Sequence, residues 1–143
     1  MKLLRVEFTK DFLIGAPEID QQHERFFEIY NGLADRFTRR EGVTQAEVFP
    51  VFNELFMYTK YHFREEEWIM KTAEYPDLRD HLDQHQSLVD GLTTVRRNAA
   101  TVPEIVKAVE LFIKVWAEHI MVMDRKLGAF LLEQSRKAYI VKP

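Results

Sequence analysis

The chain has 143 residues, 46% of them hydrophobic and 13% aromatic, and carries a formal charge of −3 with its basic and acidic residues interspersed. A chain of this length can remove roughly two thirds of its unfolded surface from water, so one domain with one core is expected. The even charge, in which the short basic pair Arg39-Arg40 is answered at once by Glu41, offers no footing for nucleic acid or an anionic membrane. Cysteine is absent, which excludes disulfides and thiolate metal sites and leaves nitrogen and oxygen as the only ligands for a metal.

Met1 to Leu4 begin like a signal segment, but Arg5, Glu7, Lys10 and Asp11 interrupt the apolar run. No later stretch approaches the ~20 uncharged apolar residues that span a bilayer, so a cytoplasmic protein without membrane insertion is expected. Residues 1–18 read as an extended arm ending at Gly15, Ala16 and Pro17. Asp20 is placed to cap a first helix, in which Phe26/Phe27, Tyr30, Leu33/Ala34 and Phe37 recur at three- and four-residue steps to about Arg40. Glu41-Gly42 breaks it. Thr44-Gln-Ala-Glu47 has the capping-box form and predicts a second helix with Val48, Phe52, Leu55/Phe56, Thr59, His62/Phe63, Glu66 and Met70 inside. Pro50 either kinks its first turns or marks where regular helix begins, and Tyr75-Pro76 marks its end.

The third helix carries Leu78, His81/Leu82, His85, Leu88/Val89, Leu92 and Val95 on one face and ends at Asn98 to Ala100. Thr101-Val-Pro-Glu104 is a second capping box. It starts a stripe of Ile105, Ala108/Val109, Phe112, Val115/Trp116, His119/Ile120, Met123 and Leu127 that runs towards Gly128 and Leu131. With no strand-like alternation or repeat, the expected fold is all-α: an antiparallel up-down four-helix bundle over 19–134, an extended N-terminal arm, and a tail over 135–143.

All five histidines fall into four short patterns: Asp20-Gln-Gln-His23, His62-Phe-Arg-Glu-Glu66, His81-Leu-Asp-Gln-His85 and His119-Ile-Met-Val-Met-Asp124. One histidine on an apolar stripe is more often a hydrogen-bonded core residue than a ligand. Five on the inner stripes of four helices, where packing favours Leu or Phe, would leave many buried polar atoms in need of partners unless a metal joined them. Glu66 follows His62 by one turn and belongs to the same face, with Glu65 and Glu67 pointing away; the alternative is that Glu66 ends the helix in solvent. Asp124 is five residues after His119, a step that turns about 140° around an α-helix, so spacing alone does not place the two together.

At Ile14-Gly-Ala-Pro-Glu-Ile-Asp-Gln-Gln-His23, His62-Phe-Arg-Glu-Glu66 with Met70, Tyr75-Pro-Asp-Leu-Arg-Asp-His81-Leu-Asp-Gln-His85 and His119-Ile-Met-Val-Met-Asp124-Arg-Lys, the sequence resembles the hemerythrin family, and in length and layout its single-domain bacterial members. The resemblance runs from about Val6 to Leu132. It implies two non-haem iron ions joined by a bridging oxide or hydroxide, one held by His81, His85 and His119 and the other by His23 and His62, with Glu66 and Asp124 bridging. That ligand set leaves one octahedral position open, on the iron held by His23 and His62, where dioxygen would bind as the ligand. Val115 and Trp116 stand where many members have Trp and Leu, Phe8 where many bacterial members have Trp, and Leu127 where some have Tyr. Trp116 either repacks the core or, with Phe63, lines the oxygen pocket and narrows access to it.

Reversible dioxygen binding for storage, delivery or sensing is therefore the expected function, without catalysis. A di-iron enzyme that reduces peroxide or nitric oxide, or oxidises iron, is the first alternative; it is disfavoured because ferritin-like sites use paired Glu-x-x-His motifs, which this chain lacks. An oxygen, redox or iron sensor read by a protein partner is the second. A zinc-filled or metal-free structural bundle is the third.

Overall fold

The computed structural model describes the backbone of residues 3–38 and 42–141 and the side chains of that range up to 138. Helix α1 spans Pro17–Arg36, α2 Gln45–Thr72 and α3 Leu78–Asn98. The fourth rod is continuous: α4 Val102–His119, a π-helical turn Ile120–Asp124, and α5 Arg125–Val141. No strand occurs among the described residues. Successive helices pack on one another through short connections, α1 on α2, α2 on α3 and α3 on α4, which makes the all-α bundle antiparallel. No described helix is long and apolar enough to cross a membrane.

Local chemistry sets most boundaries, with four departures from expectation. Helix α1 starts at Pro17 with Ala16 as its N-cap, so Asp20 is not the cap. Proline needs no amide partner in the first turn, and this leaves the buried Asp20 carboxylate free to accept the Ile14 and Gly15 amides of the arm at 2.8 and 3.2 Å. The helix stops at Arg36, and the expected stretch through Arg39-Arg40-Glu41 lies outside the described residues. Both halves of the Thr44/Glu47 capping box form, and α2 begins there with Pro50 inside it, where proline removes the bond to the Ala46 carbonyl.

The end of α2 comes at Thr72, short of Tyr75-Pro76. Glu74 adopts φ +55, and the Tyr75 amide donates back to the Met70 carbonyl at 3.0 Å. This Schellman-type ending turns Tyr75, 5% exposed, into the core. The fourth departure is at the C-terminus: the expected tail from residue 135 is helical as far as Val141. No proline or glycine lies between Gly128 and Val141, so nothing breaks the helix over that stretch.

The arm is docked. Tyr30 donates its hydroxyl to the Leu4 carbonyl at 2.6 Å, and the Asn31 side chain exchanges two 2.8 Å hydrogen bonds with the Val6 backbone. Phe8 and Phe12 pack on Phe27, with ring centroids 5.9 and 4.9 Å away. Phe27 in turn touches Phe26 and Trp116, so an aromatic chain links the arm to the bundle interior. Arg125 donates to the Asp11 carbonyl from the far side.

Candidate metal centre

The seven predicted side chains meet in the bundle core. His23 comes from α1, His62 and Glu66 from α2, His81 and His85 from α3, His119 from the last position of α4 and Asp124 from the end of the π turn. All are buried, none more than 3% exposed, so Glu66 is an interior group and not a solvated helix end. The four-residue steps His62/Glu66 and His81/His85 each occupy one helix face. The five-residue step to Asp124 works for a different reason: the Arg125 amide donates to the Ile120 carbonyl, the π-helical i→i+5 bond. This wider turn brings Asp124 back to the side of His119, with Oδ1 at 3.1 Å from His119 Nε2.

Each carboxylate divides its two oxygens between two sets of imidazoles. Glu66 Oε1 lies 2.7 and 3.1 Å from Nε2 of His81 and His85, while Oε2 lies 3.2 and 3.8 Å from Nε2 of His62 and His23. Asp124 Oδ1 faces His81 and His119 at 2.9 and 3.1 Å, and Oδ2 faces His23 at 3.0 Å. The donors thereby form two groups, Glu66, His81, His85, His119, Asp124 and His23, His62, Glu66, Asp124, each with ligand atoms within 4.8 Å of one another. The carboxylates belong to both.

These inward atoms are unsatisfied by the protein. Both oxygens of Glu66, both of Asp124, and Nε2 of His81, His85 and His119 are buried without a hydrogen-bond partner. Burying two carboxylates this way is costly unless positive charge joins them. The residues therefore fit the metal pair that the resemblance implies: the bare atoms are oxygens and imidazole nitrogens, aimed at common points, in two sets.

The outer ring nitrogens explain why Nε2 is the bare one. His62 Nδ1 donates to Gln22 Oε1 at 2.6 Å, His85 Nδ1 to Glu67 Oε2 at 3.0 Å, and His119 Nδ1 to Gln84 Oε1 at 2.8 Å. A neutral imidazole that donates from Nδ1 presents a lone pair at Nε2, the form a metal requires. Gln22, Glu67 and Gln84 were not anticipated, and Glu67 does not point away as expected. Their signal in the sequence is slight: each adjoins a residue of the cluster (His23, Glu66, His85) but serves a histidine on the next helix.

Without a cation, protons must take its place. Burial opposes charge on His81, but Asp124 and Glu66 outweigh it and push the imidazole up to about 9. His85 is raised as well, against its burial, by Glu66 and Glu67. Burial and the mutual repulsion of the carboxylates favour protonated Glu66, yet the imidazoles of His62, His81 and His85, which face its oxygens and can take up the proton, hold it well below the usual range. Asp124 is also held low, against burial, by His119, His23 and His81. His62 goes the other way, lowered chiefly by burial.

The two aromatic candidates fall on different sides. Trp116 is fully buried and edge-on to His23 and His62, centroids 5.4 and 6.0 Å away, and its indole N–H has no partner. Phe63 stacks flat on His85 at 3.8 Å, so it walls the group containing three histidines, although it also reaches within 5.8 Å of the His62 ring.

The description "Hemerythrin HHE cation binding domain" applies to the family profile that matches residues 15–131. A bacteriohemerythrin of Ralstonia nicotianae is 24% identical over 135 residues, 93% of each chain. One from Clostridium acetobutylicum is 25% identical over 120 residues, 81% of this chain and 93% of the relative. One from Stenotrophomonas maltophilia is 34% identical over 86 residues, 60% of this chain and about half, 54%, of its own length. A helical bundle, a buried His/Glu/Asp cluster split into two donor groups, and a match over most of the chain agree: this protein belongs to the hemerythrin family.

Proposed function

We propose that the cluster holds two iron ions and binds dioxygen reversibly, as a store, carrier or sensor and not as a catalyst. The observation that carries this reading is the split of Glu66 and Asp124, each of which turns one oxygen to the His81/His85/His119 group and the other to the His23/His62 group. When bound, a ferrous pair with a bridging hydroxide or oxide supplies the electrons and the open coordination position that dioxygen needs.

His81, His85 and His119 would hold one ion and His23 and His62 the other, with Glu66 and Asp124 shared. The second group has one protein donor fewer, so its side of the cluster has room for an outside ligand. Trp116, backed by Phe26 and Phe27, covers that side and keeps bulk water from it. Gln22 holds the His62 ring in the required tautomer there. The relatives' name, bacteriohemerythrin, and the cation-binding description of the family support the same reading.

The test is anaerobic loading of the chain with ferrous iron, with metal counted and visible absorption followed as air is admitted and then purged. A band that appears with air and leaves on purging, at two irons per chain, is the expected result. Immediate conversion to a stable ferric spectrum, or steady turnover with a reductant, would refute reversible binding in favour of redox catalysis or redox sensing.

A further inference from the structure

The three Nδ1 acceptors form a relay around the bundle. Gln22 on α1 accepts from His62 on α2, Glu67 on α2 from His85 on α3, and Gln84 on α3 from His119 on α4. Each acceptor is the chain neighbour of a cluster residue, so α1, α2 and α3 each donate a ligand and orient a ligand of the next helix. Two of the acceptors are amides. Only Glu67 brings a charge, and it serves the group that already has five protein donors against four.

A neutral amide orients an imidazole without altering its basicity much; a carboxylate that accepts the same N–H draws the proton outward and makes Nε2 a stronger donor to a cation. We propose that Glu67 is a positioning residue that makes the His81/His85/His119 half the tighter cation site, so that the two positions fill in order and a half-loaded protein precedes the full one. His23 and His81, whose Nδ1 atoms are buried without a partner, gain no such support. The His23/His62 half therefore has one amide-oriented imidazole and one unsupported one, whereas the other half has one unsupported, one amide-oriented and, through Glu67, one carboxylate-oriented imidazole. The inference rests on the two-cation reading of the cluster, but not on dioxygen binding.

Zinc is the probe, because it reports affinity without redox chemistry. Metal-free chain is titrated with Zn²⁺ against a chromophoric chelator, with far-UV circular dichroism on the same samples. The wild type is expected to bind in two separable steps. Glu67→Gln preserves the acceptor and removes the charge; it is expected to weaken the tighter step by about 10–100-fold while the weaker step stays within a few fold. In the zinc-loaded variant the His85 Nδ1–H proton resonance should move upfield, as it exchanges a carboxylate for an amide partner. Gln22→Glu, the converse change on the other half, should tighten the weaker step and narrow the gap. If Glu67→Gln leaves both steps unchanged, or weakens both alike with loss of helicity, the proposed role of Glu67 is overturned. If the wild type takes up one zinc or none, the two-cation reading falls and this inference with it.

Discussion

Two helical glycines make a matched test of how the arm sits on the bundle. At Gly91, on the exposed side of α3, an added Cβ would meet no heavy atom within 4 Å. At Gly128, in α5, it would lie 2.8 Å from the Ile14 carbonyl carbon, 3.0 Å from the Ile14 Cβ, and overlap the carbonyl oxygen. Helix propensity alone favours alanine by about 1 kcal/mol at either position. Gly91→Ala should therefore stabilise by about 1 kcal/mol. In Gly128→Ala the Ile14 backbone must retreat, straining its hydrogen bond to Asp20; overpacking of this kind costs about 1–3 kcal/mol, which leaves a net loss of about 0–2 kcal/mol after the propensity gain. The two variants should thus differ by about 1–3 kcal/mol, or roughly 4–12 °C in Tm for a chain of this size. Urea and thermal unfolding of both metal-free variants by circular dichroism measure the difference, and trypsin cleavage at Arg5 and Lys10 reports the arm directly. Gly128→Ala as stable as Gly91→Ala, with an arm no more easily cut, would show that the arm does not lie on α5 as described.

Asp20→Ala strands the buried Ile14 amide and should destabilise by about 1–3 kcal/mol in urea, with faster proteolysis of the arm; an unchanged midpoint would contradict the role of the carboxylate. Trp116→Leu should leave a void beside His23 and His62, cost about 2–4 kcal/mol, and speed autoxidation of the iron-loaded protein, whereas Trp116→Phe, which removes an unpaired buried donor along with some volume, should cost less. Dioxygen release and autoxidation both unaltered in Trp116→Leu would reduce Trp116 to a packing residue. The metal-free protein should lose stability as pH rises from about 6.5 through about 9: His81 binds its proton more tightly folded than unfolded, so its contribution is complete below its ordinary value of 6.5 and gone above the raised one. At the acid end the depressed Asp124 and Glu66 act in the opposite sense, stabilising above their ordinary values of 3.8 and 4.5 and ceasing to do so as pH falls through the lowered ones. A Tm in chelator that is flat from pH 6.5 to 9 would refute the charge assignment at His81.

Local rules carried the fold a long way. The capping boxes Thr44/Glu47 and Thr101/Glu104 and the three- and four-residue apolar steps are encoded within a few residues of one another, and the helices form where those signals stand. The ends were less legible. The Schellman ending at Glu74 depends on Tyr75 finding a place in the core, and the run of α5 to Val141 depends on the absence of any breaker, which a periodic stripe fading after Leu131 does not reveal.

The candidate site divides in the same way. Sequence alone determined which residues could serve, because histidines on apolar stripes in a chain without cysteine have few other uses, and it determined the His62/Glu66 and His81/His85 pairs, because a four-residue step is a property of one helix. Spacing left Asp124 open and the resemblance alone included it; the tertiary structure supplied the reason, a π turn that no spacing rule for α-helices contains. It alone decided which oxygen of each carboxylate faces which histidines, that Gln22, Glu67 and Gln84 orient the imidazoles, and that Phe63 and Trp116 stand on different sides. Each of these is a relation between helices, set by their relative rotation and depth, and those emerge only when the whole core packs at once.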